Sequence, residues 1–148
     1  MVEPSNRFQD QNLRLTDFQK EVWVVCPQCA KKAIAKVDYE TQKAKLLCTN
    51  CGFSREKTTA LVRQQAHFIL PAHAYFDAEL WLQMSFKNDV FWAYNDTHLV
   101  YLEQFIAAKL REHKDRSHFT LLEKLPKFYH EAKNREPLLK LIDKLKKK

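Results

Sequence analysis

All four cysteines of this chain lie in one short stretch, "CPQCAKKAIAKVDYETQKAKLLCTNCG" (residues 26–52). They form two Cys-x-x-Cys pairs, Cys26/Cys29 and Cys48/Cys51, separated by eighteen residues. No other feature narrows the fold as much. Each Cys-x-x-Cys turn delivers two thiolates to one point, and a hairpin of that length brings the two points together. A structural Zn²⁺ site requires four soft ligands in a tetrahedron, so Cys26, Cys29, Cys48 and Cys51 are the expected ligands of one structural zinc ion. Iron is chemically possible with the same four thiolates. A redox dithiol would show a single pair at a helix start in a βαβ setting, which this pattern lacks.

The intervening sequence reads as the required hairpin. "EVWVV" (21–25) is β-branched and apolar and runs as a strand into Cys26. "KKAIAKVDY" alternates, with Ile34 and Lys36 on one face and Ala35 and Val37 on the other. "ETQ" turns the chain, "KAKLL" returns it to Cys48, and "GFSREKTT" predicts a further strand. Residues 58–70 are ambiguous between strand and helix, ended by Pro71. Residues 1–19 are polar and read as a flexible lead-in, residues 20–60 as the cysteine module, and residues 61–148 as a second domain with a basic end.

In that second domain "AELWLQMSF" (78–86) alternates, with Leu80, Leu82, Met84 and Phe86 on one face and Trp81, Gln83 and Ser85 on the other. A three-residue "KND" turn would add Val90, Trp92 and Tyr94 of "VFWAYN" to the Leu80 face. A two-residue turn would set Trp92 and Tyr94 beside Trp81. The first register separates the faces more cleanly and is the expected one, with Asn88 and Asp89 tolerating the left-handed turn backbone and Phe91 joining Trp81 on the second face. Asn95 or Asp96 then caps a long helix over 97–112, whose Leu99, Leu102, Phe105, Ile106 and Leu110 form one stripe for the hairpin to pack on. Pro126 and Pro137 each predict the start of a further helix, and Leu138, Leu141, Ile142 and Leu145 mark the inward face of the last one. The expected class is therefore α+β: a three-stranded antiparallel β module around the metal, then a β-hairpin packed on a long helix, then C-terminal helices.

Residues 21–57 resemble a zinc ribbon of the transcription factor IIB type, with "CPQC" and "CTNCG" as its two knuckles. The resemblance implies a closed structural site on the four cysteines. In such ribbons the first knuckle often ends in glycine; here Ala30 stands there, at a cost of about 1 kcal/mol if its backbone is left-handed. Residues 78–146 resemble the C-terminal part of a set of small bacterial zinc-ribbon proteins. In that set the turn between the hairpin strands often carries a further cysteine pair. "SFKND" has none, so no second metal is expected.

The chain carries a net charge of +7, and its placement is uneven. Residues 1–108 hold 12 basic and 12 acidic side chains, whereas residues 109–148 hold 13 and 6. A polarised basic end is an electrostatic footprint for a polyanion. The candidate nucleic-acid contacts are Lys31, Lys32, Lys36, Lys43 and Lys45 in the ribbon and Lys133, Arg135, Lys140 and Lys144 in the C-terminal helices, with little base readout. The second reading is a protein adaptor in which ribbon and basic helices dock an acidic partner. One glycine in the whole chain leaves no room for a phosphate loop or a dinucleotide fingerprint, and no H-E-x-x-H is present, so no enzyme is expected. His98, in the first helical turn, is expected to be neutral. With no apolar run near ~18 residues and no signal-peptide core, a cytoplasmic protein is the expectation.

Overall fold

The computed structural model describes residues 7–8, 15–59, 70–107, 110–111 and 125–148, the first and fourth of these stretches as backbone only. The segment 60–69, most of the stretch read as ambiguous between strand and helix, lies outside the described residues, as does 112–124. The chain divides into two compact units. One comprises Phe18–Gln83 with Trp92–Asn95, and the other Met1–Asp17, Met84–Phe91 and Asp96–Lys148.

The first unit is built on a four-stranded antiparallel sheet in chain order: β2 (Glu21–Val25), β3 (Lys32–Asp38), β4 (Lys43–Leu47) and β5 (Ser54–Thr58). The module expected to be three-stranded is a four-stranded sheet: the strand predicted at "EVWVV" belongs to it, pairing along its whole length with β3, Glu21 opposite Lys36 through Val25 opposite Lys32. The period-2 pattern resolves the two faces. Val22, Val24, Ala33, Ala35, Val37, Ala44 and Leu46 are buried on one side, packed by a 3₁₀ turn at Ala72–Phe76 whose Ala72, Tyr75 and Phe76 are themselves buried. At the β3–β4 turn the Asp38 carboxylate accepts from the backbone N–H groups of Glu40 and Thr41, and Gln42 takes φ 58°. The free side of β2 is closed by a bridge to Leu80 and by hydrogen bonds from Trp23 N to Tyr94 O (2.7 Å) and from Val25 N to Glu79 O (2.9 Å). Phe18 and Gln19, assigned from sequence to the lead-in, are buried here. Gln19 donates to the Tyr39 hydroxyl, which in turn donates to the carbonyl of Leu70. The Asn95 side-chain NH2 donates to the carbonyls of Phe18 (3.1 Å) and Glu21 (2.7 Å).

The hairpin strands β6 (Leu82–Phe86) and β7 (Asp89–Ala93) leave two turn residues, not three. Lys87, with φ 52°, takes the left-handed backbone expected of Asn88 and Asp89. The shift of one residue exchanges the faces, as period 2 requires. Phe91 is fully buried and Val90 is 50% exposed, the reverse of the expected register. Trp81 and Trp92 are half-buried.

In the second unit, Phe86 stacks on Phe128 (5.6 Å between centroids) and Phe91 on Tyr129 (5.4 Å), so these hairpin rings pack on α2 (Lys127–His130). The helix expected over 97–112 is α1 (Asp96–Ala107), which at twelve residues is no longer than α3 (Arg135–Lys146), against which it packs. It does not reach residue 112. Leu110–Arg111 instead forms a short strand, β8, pairing in parallel with β1 (Arg7–Phe8). Helical spacing at Leu110 cannot register a pairing partner a hundred residues away. The helix expected from Pro126 is broken at Glu131, which is extended, and continues as one 3₁₀ turn, Ala132–Asn134. The last helix begins two residues before Pro137, because a proline in the first turn removes only an N–H that has no intrahelical acceptor. Leu138, Leu141, Ile142 and Leu145 are buried as their spacing predicts. Among the described residues no helix is long and apolar enough to cross a membrane.

Candidate metal centre

The two Cys-x-x-Cys turns have the same local construction. In the first, Cys26 N donates to Lys31 O (2.8 Å) and Ala30 N donates to Cys26 O (2.9 Å). In the second, Cys48 N donates to Phe53 O (2.8 Å) and Gly52 N to Cys48 O (2.9 Å). Each turn reverses on a left-handed residue, Ala30 at φ 64° and Gly52 at φ 81°. The antiparallel pairing of β3 with β4, Ile34 opposite Leu47, carries the two turns to the same end of the sheet.

All four sulfurs lie within 4.8 Å of one another, with Cys26 Sγ 3.6 Å from Cys51 Sγ and Cys29 Sγ 3.5 Å from Cys48 Sγ. None is in a disulfide. A tetrahedron with metal–sulfur bonds of ~2.3 Å has edges of about 3.8 Å, so the four thiols fit one ion of that size. Cys26 and Cys48 are buried; Cys29 and Cys51 are half-buried. The backbone N–H groups of Gln28 and Cys29 point at Cys26 Sγ, and the Asn50 amide donates to Cys29 Sγ at 3.5 Å. Asn50 was not singled out from the sequence, although its place between the two cysteines of the second knuckle was the available signal.

These dipoles act on the thiols unequally. The Lys31 N–H and the Asn50 amide hold the Cys29 thiol down to about 6. At Cys26 burial pushes the thiol up, but the Cys29 and Gln28 N–H groups outweigh it and its value falls. At Cys51 the Phe53 N–H pulls down, while burial and the sulfurs of Cys26, Cys29 and Cys48 push the thiol up to about 12. Four sulfurs gathered at one point thus release a first proton readily and a last one with difficulty. A divalent cation among them supplies the charge that lets all four ionise.

The candidate basic residues fall in both units. Lys31, Lys32, Lys36, Lys43 and Lys45 are all exposed in the sheet unit, but acidic neighbours accompany most of them. Lys36 Nζ lies 3.6 Å from Glu21, Lys45 stands opposite Glu56, and Lys43 opposite Asp38. Lys32 Nζ lies over the Trp23 ring at 3.9 Å. In the helical unit Lys133 pairs with Glu131 (3.4 Å), Lys146 with Glu103 (2.6 Å) and Lys147 with Asp143 (3.2 Å). Arg135 is half-buried at the start of α3. Lys140 and Lys144 are exposed one turn apart on α3, and among the described residues neither lies within ion-pair distance of a carboxylate. His98 is buried, and desolvation pushes its pKa down to about 4, so it is neutral.

Comparison with protein-family models, with curated proteins and with solved structures finds no match to this chain.

Proposed function

We propose that this is a zinc-ribbon protein in which one structural Zn²⁺, held by Cys26, Cys29, Cys48 and Cys51, stabilises the sheet unit, and which binds nucleic acid electrostatically as an accessory factor. The closed set of four thiols supports zinc in a structural role: with all four positions taken by sulfur, none is open for a substrate. The reading places the protein in a reducing compartment such as the cytoplasm, where thiols stay available to a metal.

The observation that carries the nucleic-acid reading is the exposed outer side of α3. Residues 125–148 contain eight basic and three acidic side chains, and Lys140 and Lys144 face solvent on one stripe of the helix. Cations spaced along a helix meet successive phosphates without reading bases. The ribbon lysines contribute less than their number suggests, because Lys36, Lys43 and Lys45 each stand beside a carboxylate across the strands.

The test is metal analysis of the purified protein together with binding to single- and double-stranded DNA and RNA over a salt titration. One zinc per chain is expected, and binding should weaken steeply between about 50 and 200 mM salt. Lys140→Ala/Lys144→Ala should lower the slope of log K against log salt by roughly 2, one for each lost phosphate contact. Binding that hardly responds to salt, or a slope unchanged in the double variant, refutes the assignment to α3. Iron in place of zinc would refute the metal assignment.

A further inference from the structure

The side of the four-stranded sheet opposite the packed 3₁₀ turn has an ordered arrangement that the α3 assignment does not draw on. The strand register aligns its side chains in rows. One row runs Trp23, Ile34, Leu47, and is apolar although it faces outward: Trp23 and Ile34 are half-buried, and Leu47 is 42% exposed. The next row runs Glu21, Lys36, Lys45, Glu56, so two lysines stand directly opposite each other at the centre with one carboxylate at each end. Like charges directly opposite across a strand pair destabilise it, since their β-carbons are only ~5 Å apart. Glu21 lies 3.6 Å from Lys36, on the side of that lysine away from Lys45 in the strand order.

We infer that this face docks an acidic peptide segment of a partner protein. A single carboxylate sits between Lys36 and Lys45, and a neighbouring leucine or aromatic side chain lies on Ile34 and Leu47. The charge order selects this occupant. A carboxylate is one compact anion flanked by uncharged chain, and it fits between two lysines without approaching Glu21 or Glu56. A nucleic-acid backbone carries a charge at every residue, and laid along the row it would meet a carboxylate at each end. The apolar row beside the lysine pair supplies the area that a lone ion pair at the surface does not. The inference is independent of the α3 reading, since it uses other residues and another chemistry.

The test uses the 148-residue chain loaded with metal and a displayed library of random twelve-residue peptides, followed by affinity measurements on the synthesised winners. The expected winners carry Asp or Glu within two positions of Leu, Phe or Trp. Lys36→Ala/Lys45→Ala and, separately, Leu47→Ser should each weaken them at least tenfold. All three residues are exposed, so both variants should keep the metal content and thermal midpoint of the parent, and these are measured alongside. Lys140→Ala/Lys144→Ala should leave peptide affinity unchanged while altering the salt slope for nucleic acid, so the two readings fail separately. Winners without an acidic–apolar pair, or winners indifferent to both sheet variants, would overturn the proposal. So would an oligothymidylate whose binding drops as far as that of the peptides in Lys36→Ala/Lys45→Ala, or loss of self-association in Leu47→Ser, which would make the occupant a second copy of this chain.

Discussion

Ala30 and Gly52 hold matching places in the two cysteine turns: the backbone N–H of each donates at 2.9 Å to the carbonyl of the first cysteine of its own turn, and each has a left-handed backbone. Glycine adopts that backbone without strain, while alanine pays about 1 kcal/mol for its β-carbon. A β-carbon built on Gly52 meets no atom within 4 Å, so substitution there tests the backbone alone. Ala30→Gly should therefore stabilise the metal-loaded protein by roughly 0.5–1 kcal/mol, the added freedom of glycine in the unfolded chain offsetting part of the relief. Gly52→Ala should destabilise it by about 1 kcal/mol. Denaturant unfolding at a fixed metal concentration reads both, and shifts of the same sign in the two variants would show that the turns are not equivalent.

Removing the metal should dismantle the sheet unit. Without a cation, four sulfurs within 4.8 Å of one another must keep their protons or repel. Thiol labelling should be slow in the loaded protein and, after a chelator, all four cysteines should react together with loss of strand signal in circular dichroism. Cys48, fully buried, offers the sharpest single change: Cys48→Ser should reduce bound metal from one ion per chain to none. Retention of a folded, protected sheet after chelation would show that the strands stand without the ion.

The burial of His98 predicts a pH dependence. The residue is 1% exposed and its pKa in the fold is about 4, against an ordinary 6.5 that the unfolded chain recovers. As pH falls below about 6.5 the unfolded chain takes up a proton that the folded chain refuses, so stability is lost down to about pH 4, below which both forms are protonated. Between pH 7 and pH 5 the loss is about 2 kcal/mol. Acid also protonates the metal thiolates, so the measurement is the difference between the parent and His98→Gln, whose stability should fall less by that amount over the same range. Parallel pH profiles for the two proteins would contradict it.

Asn95 joins two carbonyls, those of Phe18 and Glu21, through one buried amide. Asn95→Ala removes both donors and should cost about 1–3 kcal/mol. Asn95→Asp should cost more, because it turns a carboxylate toward two carbonyl oxygens in a site 7% exposed. Equal stability of the two variants in thermal unfolding would show that these hydrogen bonds are replaced by water.

Spacing along the chain was enough to bring the four cysteines together, to place β2 through β5, and to choose the buried face of α3, where Leu138, Leu141, Ile142 and Leu145 point inward. Those features are local: a hairpin joins two turns, and a helical stripe repeats every three or four residues whatever the rest of the chain does. Tertiary structure decided the others. The hairpin register turned on one residue, and the two-residue turn at Lys87 and Asn88 buried Phe91 and exposed Val90, with Phe91 stacked on Tyr129. Both registers offered apolar side chains on the favoured face, so alternation alone could not choose between them. The helix after Asp96 stopped at Ala107 while Leu110 paired with Arg7, a partner that no local pattern can contain. The lysines of the sheet were legible as charges, but the carboxylates beside Lys36, Lys43 and Lys45 depend on strand register, and an ion pair exists only once the fold has set both partners within a few ångströms.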